Sequence, residues 1–130
     1  MSVVCSGVPS SATAGVEFGH LKLTSGFFYA EGQTANIVQH PDGRPKEVAL
    51  QENEIRSIHA SVVRYTTDTE PGSSGSPVFN NSWQLIALHH SAGDQTPTGE
   101  WVNNEGVRID KIIDHIKANV PLAVAAELGI

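Results

Sequence analysis

Several features are scarce in this sequence, and each scarcity excludes a class of protein. A single cysteine, Cys5, excludes a scaffold held together by disulfides within the chain. No apolar run approaches the ~20 residues that a membrane-spanning helix needs. Only 8 Lys and Arg stand against 14 Asp and Glu, and the basic residues are scattered, so no nucleic acid and no membrane surface is expected as a partner. The first basic residue is Lys22. The positively charged start of a secretory signal is therefore missing, which predicts a cytoplasmic location.

The overall composition predicts one folded, turn-rich domain. The hydrophobic fraction is 39% of 130 residues, and 12 of them are glycine, a composition too apolar for a disordered chain. Residues 1–20 are rich in Ser, Gly and Ala and show neither helical nor strand periodicity, so they are predicted to form a weakly ordered N-terminal arm. Residues 21–130 form the predicted domain.

Short apolar and β-branched segments alternate with turn residues through most of this domain, which predicts an antiparallel barrel or sandwich. The predicted strands cover residues 21–23, 34–40, 48–51, 55–58, 61–66, 78–79 and 85–89, and residues 91–104 are predicted to form a long surface loop containing Trp101. One helix follows, because isoleucines at positions 109, 112, 113 and 116 share one helical face. Pro121 ends it, and residues 122–130 are predicted to add a short helical turn.

The segment with the clearest chemical pattern reads Gly72-Ser73-Ser74-Gly75-Ser76-Pro77. Small neighbours leave the hydroxyl of Ser74 accessible, and Gly72 can adopt a positive φ that turns its N–H toward a carbonyl under attack. The N–H groups of Gly72 and Ser74 are then candidates for an oxyanion hole. An α/β-hydrolase is excluded, because a helix should follow its nucleophile and here Pro77 opens a strand-like segment.

Together with three other segments, this motif resembles the chymotrypsin-like serine peptidases, in particular the bacterial branch that includes the glutamyl endopeptidases. Asn36–Pro41 resembles the first long strand of the family's second barrel, and Leu85–His90 resembles a wall of its primary specificity pocket. Residues 105–109 and the helix resemble the family's C-terminal end. The resemblance runs from Leu21 to Val120 and implies an all-β fold, a six-stranded antiparallel Greek-key barrel with a C-terminal α-helix.

The implied activity is peptide-bond hydrolysis through an acyl-serine intermediate. The resemblance makes Ser74 the nucleophile and Gly72 the oxyanion-hole glycine. Thr69 and His89 match the pair that binds an acidic substrate side chain, and Gly106 is expected on the opposite wall of that pocket, where it leaves room for the side chain. No cofactor and no metal is expected, since adjacent strand residues such as His89 and the next histidine point to opposite faces.

One part of the family's machinery has no counterpart in this sequence. The general-base histidine and the aspartate that orients it come from the first barrel, and no matching segment precedes residue 21. His20 is the nearest candidate for a replacement base, but a surface histidine beside a strand is its simpler interpretation. We therefore expect the isolated chain to have poor activity. An active enzyme would need a histidine base from a complementing first-barrel segment. A non-catalytic module that binds a peptide or a partner, and that forms a homodimer through its exposed apolar face, is the alternative.

Overall fold

The computed structural model describes residues 19–50 and 53–130. Residues 1–18 of the predicted arm, including Cys5, lie outside this range. Strands are numbered along the chain and cover β1 Asn36–Gln39, β2 Glu47–Ala49, β3 Ile55–Ile58, β4 Val62–Tyr65, β5 Pro77–Phe79, β6 Leu85–Ala92 and β7 Asn104–Arg108, and the helices are α1 Ile109–Asn119 and α2 Leu122–Glu127.

All seven strands join one antiparallel sheet in the order β2-β1-β5-β6-β7-β4-β3. Backbone bonds from Gly32 N–H to the Ile55 carbonyl (2.8 Å) and from Ala35 N–H to the Asn53 carbonyl (2.6 Å) join the segment that precedes β1 to the start of β3 and to the residues just before it. These bonds curl the sheet toward a barrel and leave β2 as an edge strand. The all-β prediction is confirmed, with seven strands in the described residues rather than six. The Greek-key connection stays a prediction.

The core lies inside this curled sheet and explains why these segments form strands. Alternate residues of β4 are fully buried while their neighbours are half-exposed, as expected for a strand with one face toward the core. Each buried aliphatic or aromatic side chain stabilises the fold by about 1.5–3 kcal/mol. The main cluster consists of Ala35, Ile37, Ile55, Val63, Tyr65, Val78, Ile86 and Ala87.

The predicted strand at residues 21–23 is wrong, because the described chain from Gly19 to Ala30 contains no strand. Leu23 is nevertheless buried, and it packs with Leu85 and Ile113 in a second cluster beneath α1. The alternation of Leu21 and Leu23 therefore reflects contact with a helix and not pairing with a neighbouring strand.

The predicted C-terminal helix is confirmed as α1. Ile109 and Ile113 are buried on its inner face, and Asp110 lies in the first turn, where the helix dipole favours an acidic side chain. Arg108 holds the Asp110 carboxylate at 2.6 Å. The helical turn predicted after Pro121 is confirmed as α2. Within the described residues, neither helix has the length and apolar character needed to cross a membrane.

Candidate active site

The turn that carries Ser74 lies between β4 and β5 and is fastened to β6. Gly75 N–H donates to the His89 carbonyl (2.7 Å), and His89 N–H donates to the Ser76 carbonyl (2.9 Å). Within the turn, Ser73 N–H donates to the Glu70 carbonyl (3.2 Å). The position of Ser74 is therefore set by backbone bonds to a central strand of the sheet.

Gly72 and Ser74 present their N–H groups free of any acceptor in the described part of the chain. Gly72 has a φ of 94°, a conformation that glycine adopts without strain. A Cβ atom at Gly72 would come no closer than 3.6 Å to the His40 carbonyl oxygen, so the backbone conformation rather than lack of space requires glycine. The exposed Ser74 hydroxyl donates to the His90 carbonyl at 3.3 Å. Two free N–H donors thus flank an accessible hydroxyl, as an oxyanion hole requires.

A cavity of about 400 Å³ opens beside this turn. Four of the residues predicted for the site line it, namely Thr69, Gly72, Ser74 and His89. They come from the β4–β5 turn and from β6, so the fold brings these two distant segments together. Gly106 is absent from the lining, which differs from the prediction.

Gly106 instead lies behind His89, its partner across β6 and β7. A Cβ atom at Gly106 would lie 3.1 Å from the Tyr65 hydroxyl and 3.1 Å from the Leu88 carbonyl oxygen. This position differs from the expected place on the opposite wall of the pocket. Gly106 makes room for the Tyr65 hydroxyl.

Tyr65 is a site residue that the sequence analysis missed. Its buried hydroxyl lies 2.8 Å from Nδ1 of His89. Burial raises the pKa of Tyr65, so the phenol keeps its proton. The sequence signal was the adjacency of Tyr65 to the Ser74 segment, but only the pairing of β4 and β6 with β7 brings Tyr65 to His89.

His89 is a neutral imidazole at pH 7. Burial, followed by the nearby positive charge of His90, lowers the pKa of His89 from 6.5 to about 4. His89 therefore offers a substrate a neutral ring held by Tyr65, and not the imidazolium that would attract a carboxylate.

The Thr69 hydroxyl donates its proton to another side chain of the protein. The hydroxyl donates to Oδ1 of Asn104 (2.8 Å), and Nδ2 of Asn104 donates to the Thr67 carbonyl (2.7 Å). This chain of bonds fixes the orientation of the Asn104 amide. The Thr69 oxygen can still accept a hydrogen bond, but its proton is not free for a substrate carboxylate.

The charges around the cavity disfavour an acidic substrate side chain. Asp68 and Glu70 line the cavity, and neither Lys nor Arg is among its lining residues in the described chain. Glu70 is paired with Arg44 at 3.1 Å, which leaves the Asp68 carboxylate as the uncompensated charge of the cavity. With His89 neutral, the acidic preference expected from the resemblance lacks a cationic partner.

No histidine supplies a base to Ser74, and all of the chain's histidines lie in the described residues. The rings of His40, His59, His89, His90 and His115 bond to other groups. His20 borders a separate cavity together with residues at the end of α2, so the structure does not bring it to the hydroxyl. Within residues 19–50 and 53–130, no three His, Cys, Asp or Glu side chains cluster as metal ligands would.

Comparison with known proteins identifies the family. The family model described as a trypsin-like peptidase domain matches residues 8–88, more than half of the chain. The chain belongs to the trypsin-like peptidase family. It is 31% identical over 144 residues to the uncharacterized protein y4fB of Sinorhizobium fredii (strain NBRC 101917 / NGR234), an alignment that covers 84% of this chain and 22% of that protein.

A solved structure supports the trypsin-like fold. The structure of Glu endopeptidase in complex with MPD superposes with a TM-score of 0.56 at 17% identity, covering 82% of this chain and 51% of the Glu endopeptidase chain. The trypsin-like chain therefore spans about half of that enzyme and about a fifth of y4fB. The fold expected from the resemblance is confirmed at this level.

Proposed function

We propose that this chain is the nucleophile-bearing half of a serine endopeptidase. The observation that carries the proposal is the exposed Ser74 hydroxyl between two N–H groups, those of Gly72 and Ser74, that have no acceptor in the described residues. Gly72 and Ser74 are exposed, so these N–H groups are accessible to a substrate carbonyl beside the hydroxyl. The cavity of about 400 Å³ next to them lies within the range of about 300–1,000 Å³ that is typical of ligand pockets.

The proposed reaction follows from these groups. The Ser74 oxygen attacks the carbonyl carbon of the scissile peptide bond and gives its proton to a base, while the carbonyl oxygen becomes an oxyanion held by the N–H groups of Gly72 and Ser74. The base returns the proton to the leaving amine as the C–N bond breaks, which leaves an acyl-serine. Water activated by the same base then releases the acid and restores Ser74.

The base in this proposal comes from a partner of the described residues. A histidine on a complementing first-barrel segment is the expected source, which agrees with the span of the chain, about half of the Glu endopeptidase structure. Phe28 and Leu50 are large apolar side chains exposed on the surface. A homodimer with a second copy of the chain is the alternative assembly.

A non-catalytic peptide-binding module is the second candidate function. The absence of a histidine bonded to Ser74 among the described residues favours it, because a serine without a base is a weak nucleophile at neutral pH. The cavity would then retain peptide binding while hydrolysis is lost. The two candidates differ in how Ser74 responds when a base is supplied.

Exogenous imidazole should therefore accelerate covalent labelling of Ser74. We expect slow reaction of the chain with a fluorophosphonate probe, and a rate that rises at least tenfold with imidazole, since a free imidazole can take the place of the absent base. Ser74→Ala should abolish labelling. The measurement is the labelling rate by intact mass spectrometry at increasing imidazole concentration.

Ser76→Ala is the matched control for this experiment, because Ser76 belongs to the same turn but lies outside the cavity lining. It should label at the wild-type rate. A rate independent of imidazole would support the non-catalytic module. Rapid stoichiometric labelling without imidazole would show that the chain already holds its base, contrary to the proposal.

We also propose that the cavity accepts a neutral or cationic side chain in preference to an acidic one. Three capped peptides, acetyl-Gly-Phe-Gly-X-Gly-Phe-Gly-amide with X as Lys, Gln or Glu, test this by calorimetry. Lys and Gln peptides should bind about three- to tenfold more tightly than the Glu peptide, because Asp68 repels a carboxylate. Asp68→Asn should remove most of the difference. If the Glu peptide binds most tightly, the proposal is wrong and the cavity prefers an acidic side chain, as the resemblance implied.

A further inference from the structure

The connection between β6 and β7, predicted as a surface loop, is an ordered hairpin of residues 93–103. Gly93 N–H donates to the Asn103 carbonyl (2.9 Å), and Val102 N–H donates to the Asp94 carbonyl (2.9 Å). Thr96 N–H donates to the Glu100 carbonyl (2.8 Å) near the tip. The pairing of β6 with β7 therefore continues outward, and we call this element the 93–103 hairpin.

Side chains fix the base of the 93–103 hairpin. Asp94 N–H donates to Oδ1 of Asn103 (2.8 Å), while Nδ2 of Asn103 donates to the Asp94 carboxylate (3.0 Å). Arg64 then joins Asp94 (2.6 Å) to Glu105 on β7 (2.9 Å). A Cβ atom at Gly93 would lie 2.0 Å from Oδ1 of Asn103, so glycine lets this amide approach. These bonds tie the base of the hairpin to β4 and β7.

The 93–103 hairpin presents two apolar side chains beside the cavity. Trp101 is 60% exposed and Val102 is 53% exposed, and both line the cavity that holds Ser74. The Trp101 indole stacks on no other ring in the described residues, whereas Trp83 packs on Phe79 at 5.7 Å. The exposed indole of Trp101 thus contributes little to the fold.

We propose that Trp101 and Val102 form a second substrate subsite, which receives an apolar side chain of a bound peptide from the residue two positions before or after the one that occupies the cavity. The inference rests on the proposed function, because it requires a peptide beside Ser74. Side chains two residues apart in an extended peptide point to the same side and lie about 7 Å from each other, so the second of them reaches the wall of the cavity. A flat indole next to an aliphatic side chain favours an apolar or aromatic partner, and a fixed hairpin loses little entropy on binding.

A pair of peptides tests this subsite. The probe is acetyl-Gly-Phe-Gly-Gln-Gly-Phe-Gly-amide, and its twin carries Ser in place of both Phe residues, so the test does not depend on the direction of the bound chain. The Phe probe should bind the wild type about tenfold more tightly than the Ser twin by calorimetry. The sequence contains 2 tryptophans, so in the variant Trp83→Phe the fluorescence comes from Trp101 alone. Binding of the Phe probe should shift the emission maximum of Trp101 in this variant.

Trp101→Ala should reduce the preference for the Phe probe to less than threefold. Phe28→Ala is the matched control, since Phe28 is an aromatic residue that is 82% exposed and lines a different cavity. It should keep the full preference. Equal binding of the two peptides by the wild type, or an unchanged preference in Trp101→Ala, would overturn the subsite.

The labelling of Ser74 separates this inference from the proposed function. Labelling of the wild-type chain in imidazole tests the proposed function alone, because the fluorophosphonate probe carries no peptide side chain for Trp101 to bind. Loss of the peptide preference with normal labelling supports the subsite. If labelling fails in every variant while Trp101 still discriminates between the peptides, the catalytic proposal fails and the subsite stands.

Discussion

Gly72→Ala is expected to slow the imidazole-assisted labelling of Ser74 about 100-fold, the cost of losing one oxyanion-hole donor. The reason is the φ of 94° at Gly72, a conformation that costs an alanine about 1 kcal/mol or more. The variant relieves this strain by rotating the peptide group, which turns the Gly72 N–H away from the developing oxyanion. The measurement is the labelling rate at fixed imidazole.

The control for Gly72→Ala is Gly26→Ala. Gly26 has the same φ of 94°, and a Cβ atom there would meet no atom within 4 Å, so the variant introduces the same backbone strain away from the site. It should lower the free energy of unfolding and leave the labelling rate unchanged. Equal rates for Gly72→Ala and the wild type would remove the oxyanion hole from the mechanism. Equal slowing by Gly26→Ala would assign the effect to general strain.

The parts of the fold that the sequence predicted correctly are those that local patterns determine. The helix α1 follows from isoleucine spacing, and β3 follows from a β-branched segment bounded by polar residues. The motif around Ser74 also predicted its own turn, because Gly72 and Gly75 supply the positive φ angles that other residues adopt only with strain. The strand predicted at Leu21–Leu23 is wrong because an alternation of apolar residues does not distinguish a strand from a segment packed on a helix.

The features of the site that the sequence did not predict depend on contacts between distant segments. Tyr65 reaches His89 across the sheet because Gly106 lacks a side chain, and no spacing along the chain encodes this triple contact. The resemblance placed His89 in the pocket and matched it to an acid-binding residue, but it carried no information on the burial that keeps this imidazole neutral. The 93–103 hairpin also depends on a contact between distant segments, because Arg64 on β4 binds Asp94 at its base.

The buried, neutral state of His89 predicts a loss of stability in mild acid. The pKa of His89 is about 4 in the folded chain against 6.5 as its ordinary value, so the unfolded chain binds a proton first as the pH falls. Stability is therefore fully present above pH 6.5 and declines as the pH falls toward 4. Linkage gives a loss of roughly 2 kcal/mol between pH 7 and pH 5, above the range in which most carboxylates titrate.

Urea denaturation at a series of pH values measures this loss, and His89→Gln should flatten it. Glutamine takes no proton in this range and can still bond to the Tyr65 hydroxyl that lies 2.8 Å from the native ring. His115→Gln, at an exposed position on α1, is the matched control and should keep the wild-type pH dependence. An NMR titration of the His89 ring provides a direct check in the unmodified chain. A His89 ring that titrates near pH 6.5, or a stability that stays constant from pH 7 to pH 5, would contradict the neutral state of His89. It would support an imidazolium that binds acidic side chains.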